Sequence, residues 1–369
     1  VKKITYFLII SILIGGCVSE KKISKRDQLL QTIGLPERPK DLKLNTIETV
    51  ELTDGIRYKV EYTVSDYDTI FDFPEKRVRA YLFVPKHQKE EKLPAVVALH
   101  QYGMTKKEWG KMEPAGLAGD PSQFYGLELY KRGYIVIIPD RSGFGERAKL
   151  SERAEQHKDG MDSVSRDPNM TKEMGDVFEF LANYPILTLK GFTPTGMETS
   201  ELMVAVDVLL TVDCIDKSSI GAIGHSGGGI ALIPLMLADT RIKAGISSCG
   251  FENIEKKYHR NSDMFWDIGA PIFGLLKIGK SEDIVAQIAP RAMLFTHGKW
   301  EYGKGDDRSI RSVNEFVDMI EYAKKEYAKY GASDKIQMNV FEENNGFHSF
   351  PEKVKSEAYE WLDRQLKAK

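Results

Sequence analysis

The sequence predicts an α/β protein built on a mostly parallel sheet of eight strands, with an antiparallel start and helices on both faces. Three observations carry this. First, short apolar runs recur at 95–99, 134–138, 220–223, 244–246 and 292–295, with a further strand at 336–340, the pattern of strands covered on both sides. Second, one-sided helices stand near the C-terminus: Ile310, Val313, Phe316, Ile320, Ala323 and Tyr327 recur at spacings of three and four before Gly331. Val354, Ala358, Trp361, Leu362 and Leu366 repeat that pattern, so both helices are expected to face the core. Third, the runs 47–52 and 56–64 flank Thr53-Asp54-Gly55, a hairpin signal, and 78–84 alternates as a further strand.

Composition removes several function classes. Over 369 residues, 52 Lys and Arg meet 54 Asp and Glu, a net charge of −2, so no basic field invites nucleic acid. Hydrophobic residues at 42% and charged residues at 29% fit a globular chain and exclude collagen, coiled coil and a multi-span membrane protein. No period of about 20–50 residues repeats, which argues against a solenoid or propeller. The cysteines, Cys17, Cys214 and Cys249, cannot form a disulfide framework. Cys214 precedes one core strand and Cys249 follows the next, so both are expected as free, packed thiols.

The first residues read as an address. Lys2 and Lys3 precede an apolar run at 4–14, too short to span a bilayer. The run ends in Gly15-Gly16-Cys17, which resembles a bacterial lipoprotein signal. That resemblance implies export to the cell envelope and a lipid on Cys17 that anchors the protein to a membrane. Residues 18–44 follow as a polar tether and N-terminal extension, and 45–369 form the main domain. Within it, 147–199 breaks the strand–helix rhythm and reads as a lid-like insertion.

The chemistry is expected at Gly224-His225-Ser226-Gly227-Gly228, a G-x-S-x-G pattern. It sits between a predicted strand, 220–223, and a predicted helix, 228–237, the setting in which a sharp turn presents a serine nucleophile. Pro234 is expected to kink or shorten that helix. A serine hydroxyl needs a base, and His348 lies where one belongs, in the loop between the last strand and the last helix. The acid that orients the base should follow the strand 292–295, where Glu301 leads and Asp306 and Asp307 remain alternatives. An oxyanion needs two backbone N–H groups. Gly227 offers one, and Tyr102 or Gln101, in the loop after the first parallel strand, offers the other.

Together with Leu99-His100-Gln101, Glu113-Pro114-Ala115-Gly116-Leu117, the stretch from Pro139-Asp140-Arg141 to Glu146, and Gly346-Phe347-His348, these residues resemble the α/β-hydrolase superfamily. Within it they look like the branch of bacterial acetyl xylan esterases and dienelactone hydrolases. The resemblance implies a serine esterase that removes a small acyl group, acetyl above all, from carbohydrate through an acyl-enzyme, with neither metal nor cofactor. Dienelactone hydrolases carry a cysteine nucleophile, so Ser226 directs the reading to ester hydrolysis. Trp109, Trp266 and Trp300 fall in loops after parallel strands and either line a sugar pocket or pack the insertion. Two alternatives share the fold: a peptidase of the prolyl-oligopeptidase type, and a non-catalytic surface binding protein.

Overall fold

The apolar runs that follow residue 92 become the parallel part of one sheet, and the N-terminal runs extend it. The computed structural model describes residues 23–65, 76–102, 107–142, 144–147, 187, 189–251, 253, 255 and 274–367. Cys17, Trp266 and, of the insertion, 148–186 and 188 lie outside the described residues. The strands are β1 (Asn45–Leu52), β2 (Gly55–Thr63), β3 (Arg77–Pro85), β4 (Leu93–Leu99), β5 (Ile135–Pro139), β6 (Ile215–His225), β7 (Ile242–Ser248), β8 (Ala292–Gly298) and β9 (Ile336–Phe341). They lie in the order β1-β2-β3-β5-β4-β6-β7-β8-β9. Pairings from β1 to β5 are antiparallel and the others parallel.

The sheet therefore has nine strands, not the eight expected. Each of the nine runs read from the sequence becomes a strand, and the count of eight was one short; the edge is β1, whose side chains are mostly exposed but whose backbone pairs with β2 from Asn45↔Glu61 to Leu52↔Gly55. An edge strand needs a backbone partner and no buried face.

Alternation along each strand divides the core. In β4, Ala95, Val97 and Leu99 enter one apolar cluster and Val96 and Ala98 the other. The first cluster is covered by α1 (Lys25–Ile33), α3 (Pro194–Leu209), α4 (Gly227–Ala238), α5 (Ser281–Ala286) and α6 (Asp307–Ala328). The second lies under α2 (Tyr125–Lys131) and α7 (Glu352–Leu366). Cys214 and Cys249 are both buried and free. Among the described residues, no helix is long and apolar enough to cross a membrane.

Four details differ from the sequence reading. From residue 24 the expected tether is folded: Ser24 caps α1 by accepting from the Asp27 N–H, Gly34 closes it in the left-handed region, and Leu29 and Ile33 are buried. An apolar i, i+4 pair inside a polar stretch is enough to dock a short helix. At the far end of the insertion, residues 194–199 belong to α3, which Thr193 caps and Pro194 opens. Pro234 lies inside α4, which runs unbroken through it to Ala238. Lastly, the first turn of α6 leaves Ile310 exposed and turns Ser309 and Ser312 inward. Those hydroxyls serve neighbouring groups, Ser309 accepting from the Tyr302 N–H and Ser312 contacting the His297 ring.

The order β5-β4-β6 places the switch of chain direction at β4. Crevices beyond the carboxyl ends of strands at such a point are where open α/β sheets bind ligands. The loops after β4, β5, β6, β7, β8 and β9 all emerge at that edge, and they hold every candidate group described next.

Candidate active site

Ser226 occupies the turn between β6 and α4 with φ 53° and ψ −124°, a conformation that costs a residue with a side chain of order 1–3 kcal/mol. The turn is stitched in place: the Ser226 N–H donates to the Ser248 carbonyl at 2.8 Å, and its own carbonyl accepts from Ile230 at 3.0 Å. Close approach explains the glycines around it. A β-carbon at Gly228 would stand 2.0 Å from the Leu99 carbonyl oxygen, and one at Gly224 would stand 2.3 Å from the Gly228 carbonyl. Ser226 keeps partial exposure while Gly224, His225, Gly227 and Gly228 are buried.

His348 lies in the loop between β9 and α7, and its Nδ1 hydrogen-bonds the Oε1 atom of Glu301, in the loop after β8. Two backbone bonds tie these loops together, Lys299 N–H to the Phe341 carbonyl at 2.9 Å and Trp300 N–H to the Gly346 carbonyl at 2.8 Å. The Glu301 side chain is 5% exposed and that of His348 is 41% exposed, so the pair is rooted inside and opens outward. Asp306 is engaged elsewhere. It caps α6 by accepting from the Arg308 N–H at 2.8 Å and pairs with that guanidinium, while Asp307 lies exposed in the first turn. Of the three acids considered, Glu301 is the one bonded to His348.

His225, next to Ser226, backs the His348 ring at 5.0 Å between centroids and stacks on Phe350 at 6.0 Å. Its Nδ1 lies 3.0 Å from the Ser248 hydroxyl. Burial first, and the neighbouring His348 second, hold its pKa well below the usual imidazole range. A neutral ring thus stands behind His348.

The loop after β4 carries Gln101 and Tyr102, and three groups fix it. The His100 Nδ1 lies 2.8 Å from the Gln101 carbonyl, and its Nε2 accepts from the Arg141 N–H at 3.0 Å, an arrangement that requires the neutral Nδ1–H tautomer. Burial, reinforced by the Arg141 guanidinium, lowers the pKa of His100 to about 3. Gln101 donates through Nε2 to Glu113 at 3.1 Å. Arg141 donates to the His100 carbonyl at 3.0 Å and to Glu198 at 2.6 Å, and its guanidinium lies 4.9 Å from the Tyr102 ring centroid. The Tyr102 ring in turn covers Gly227, where a β-carbon would come within 2.7 Å of it. Both stretches expected to supply oxyanion N–H groups are therefore adjacent.

Below Arg141, Asp140 accepts from the Lys111 N–H at 2.8 Å and the Glu146 N–H at 3.1 Å, and pairs with the buried Lys111 ammonium. Arg147, where the insertion begins, clasps Glu201 of α3 through two bonds of 2.7 and 3.0 Å. The tryptophans behave differently from one another. Trp109 packs against Gly119, with its Cε3 2.8 Å from where a β-carbon would stand, and Trp300 packs against Gly346 in the His348 loop. Trp361 is 2% exposed, in the core.

Sequence reasoning gave no role to Cys249 and singled out Arg141 and Glu113 only within a resemblance. The signal for Arg141 was its place directly after a parallel strand. Cys249 follows β7 in the left-handed region, with φ 46°, and its thiol converges on Glu301 and His348 so that one ligand atom from each lies within 4.8 Å of the others. No linear spacing announces that.

No family model matches the chain. Among curated proteins, dipeptidyl-peptidase 5 of Porphyromonas gingivalis is 25% identical over 183 residues, which is 47% of this chain and 25% of that protein. The chain thus spans about a quarter of the length of that relative. Among solved structures, a Bacteroides fragilis protein assigned as an acetyl xylan esterase superposes with a TM-score of 0.61 at 19% identity, covering 86% of this chain and 74% of the other. A glucuronoyl esterase from Solibacter usitatus gives 0.61 at 14% identity, covering 92% and 91%. At these identities the likeness establishes the architecture, and the chain has the α/β-hydrolase fold.

Proposed function

We propose that the protein is a serine esterase that hydrolyses small acyl esters, acetyl esters of carbohydrate first among them, through an acyl-enzyme. The observation that carries this reading is the positive-φ turn at Ser226 next to His225, whose ring lies 5.0 Å from that of His348 in its pair with Glu301. In the proposed reaction the Ser226 hydroxyl oxygen attacks the acyl carbon while His348 takes its proton, and Glu301 keeps the imidazole oriented and stabilises its charge. The N–H of Gly227 and that of Tyr102 or Gln101 receive the oxyanion. Collapse expels the sugar oxygen, which takes the proton from His348. Water then attacks the acyl-enzyme by the same route, releasing the carboxylic acid and restoring Ser226.

The carbohydrate assignment draws on the structural neighbours, an acetyl xylan esterase and a glucuronoyl esterase, whose names place their ester bonds on sugars. The proposal extends to location: residues 1–17 would export the chain and anchor it by a lipid on Cys17, with Trp109, Trp266 and Trp300 near the sugar. A peptidase is the second reading, favoured by the partial match to dipeptidyl-peptidase 5.

The test is the ratio of kcat/KM for p-nitrophenyl acetate to that for a proline p-nitroanilide on the full chain, with a uronic acid methyl ester as a third substrate. A ratio far above one that falls by about a thousandfold or more in Ser226→Ala supports the esterase. A ratio below one promotes the peptidase, and a lead for the methyl ester moves the sugar to the acyl side of the bond. Turnover that Ser226→Ala leaves intact removes the serine mechanism.

A further inference from the structure

Behind the His348–Glu301 pair lies a thiol that the proposed hydrolysis does not use. Cys249 is 8% exposed, and its Sγ donates weakly to the Ser349 carbonyl at 3.5 Å. Glu301 uses Oε1 for His348, its Oε2 is buried, and its carboxylate also interacts with the Cys249 thiol. A carboxylate oxygen of Glu301, the sulfur and an imidazole nitrogen of His348 converge, one ligand atom of each residue lying within 4.8 Å of the other two. Sulfur, nitrogen and carboxylate oxygen are the donors that zinc takes, at about 2.3, 2.0 and 2.1 Å.

We propose that Cys249, Glu301 and His348 form a zinc site that switches the hydrolase off. The inference rests on the proposed function for its consequence, not for the site itself. The charges match: a thiolate and a carboxylate balance one divalent cation. Tetrahedral coordination needs donor separations of roughly 3.3–3.8 Å, so the three must shift modestly, and His348, the most exposed of them, has room to turn. Sulfur and imidazole together favour zinc over magnesium or calcium.

Proton balance explains the inhibition. Zinc displaces the proton of the Cys249 thiol, which goes to solvent as the S–Zn bond forms. The nitrogen facing Glu301 is Nδ1. When its lone pair binds zinc, the ring proton resides on Nε2, and no nitrogen is left to accept the proton of Ser226.

The experiment uses the full chain without an affinity tag. Zinc alone is added at increasing concentration, with turnover of p-nitrophenyl acetate and bound metal per chain both measured, and cobalt(II) is used as a spectroscopic stand-in. One metal per chain, at least tenfold inhibition reversed by a chelator, and a sulfur-to-cobalt charge-transfer band in the near ultraviolet are expected. In Cys249→Ser the band disappears and the zinc concentration for half-inhibition rises at least tenfold. Ser226→Ala keeps the band, because the serine is not a ligand. Should Cys249→Ser fail to fold, Cys249→Ala and Glu301→Gln take its place, the first abolishing the band and the second keeping it with weaker binding. A band that survives loss of the Cys249 sulfur, or half-inhibition at an unchanged zinc concentration, overturns the site. A band that depends on Cys249 in a chain without Ser226-dependent turnover keeps the site and overturns the esterase.

Discussion

Glu301 reaches His348 because two loops are sewn together by the Trp300 and Lys299 amides, not because it is the nearest acid to a strand end. Asp306, five residues on, spends both its oxygens on Arg308. The two carboxylates should therefore separate by variant. Glu301→Gln lowers kcat for p-nitrophenyl acetate by about 10²–10⁴-fold, since the amide no longer fixes the tautomer or stabilises the imidazolium. Asp306→Ala leaves kcat unchanged and slightly lowers the urea midpoint, because only a helix cap is lost. Equal kcat losses in both would contradict this assignment. Of the residues weighed for the acid, the sequence set their order along the chain, and the loop contacts separated them.

At the scale of elements, the strand–turn–helix unit β6–Ser226–α4 concentrates the constraints. A methyl group at Gly228 meets a backbone carbonyl at 2.0 Å, so Gly228→Ala either displaces the β4 loop from the turn or prevents folding. A Tm drop together with a fall in kcat is expected, and a variant with wild-type kcat and Tm would refute the packing described. Pro234 is the opposite case. In the interior of α4 it lacks an N–H and crowds the preceding turn, at about 3 kcal/mol relative to alanine, partly offset by up to about 1 kcal/mol from a stiffer unfolded chain. Pro234→Ala should stabilise the protein by about 2 kcal/mol in urea unfolding, with kcat unaltered. The loop after β4 depends on Arg141 as a positioning residue, since its guanidinium holds His100 and underlies Tyr102. Arg141→Lys keeps a charge but loses the fork, and should lower kcat more than it raises KM.

Over the whole molecule, burying neutral histidines at the sheet edge couples folding to pH. His100 binds its proton only near pH 3 when folded and near 6.5 when unfolded, so between those values the unfolded chain holds the extra proton and stability rises with pH. The contribution is present above pH 6.5 and is lost as pH falls toward 3. Between pH 7 and pH 5 it amounts to about 2 kcal/mol from His100 alone, and His225, shifted in the same direction, adds to it. Urea midpoints at the two pH values measure the loss, and His100→Asn should shrink the difference by about the contribution of one histidine. A pH-independent midpoint would show that the ring is not buried neutral.

What the sequence determined by itself was everything written in local pattern. The buried strands at 95–99 and 292–295 follow from apolar runs, the α7 face from spacing of three and four, and the Ser226 turn from glycines that only a close strand–helix approach requires. Spacing misled where polar groups compete for the interior, as at Ile310, which yields the inside of α6 to Ser309 and Ser312, and where one apolar pair docks a polar segment, as at Leu29 and Ile33. Tertiary structure alone decided which acid meets His348, which ring lies behind it, and that Cys249 comes within 4.8 Å of both members of the pair. The reason is the parallel sheet itself: it gathers loops from residues 100 to 348 at one edge, so site neighbours such as His225 and Ser248, His100 and Arg141, or Glu301 and His348 are 23, 41 and 47 positions apart in the chain. Distances between such residues are set by strand order and loop packing, which no local pattern contains.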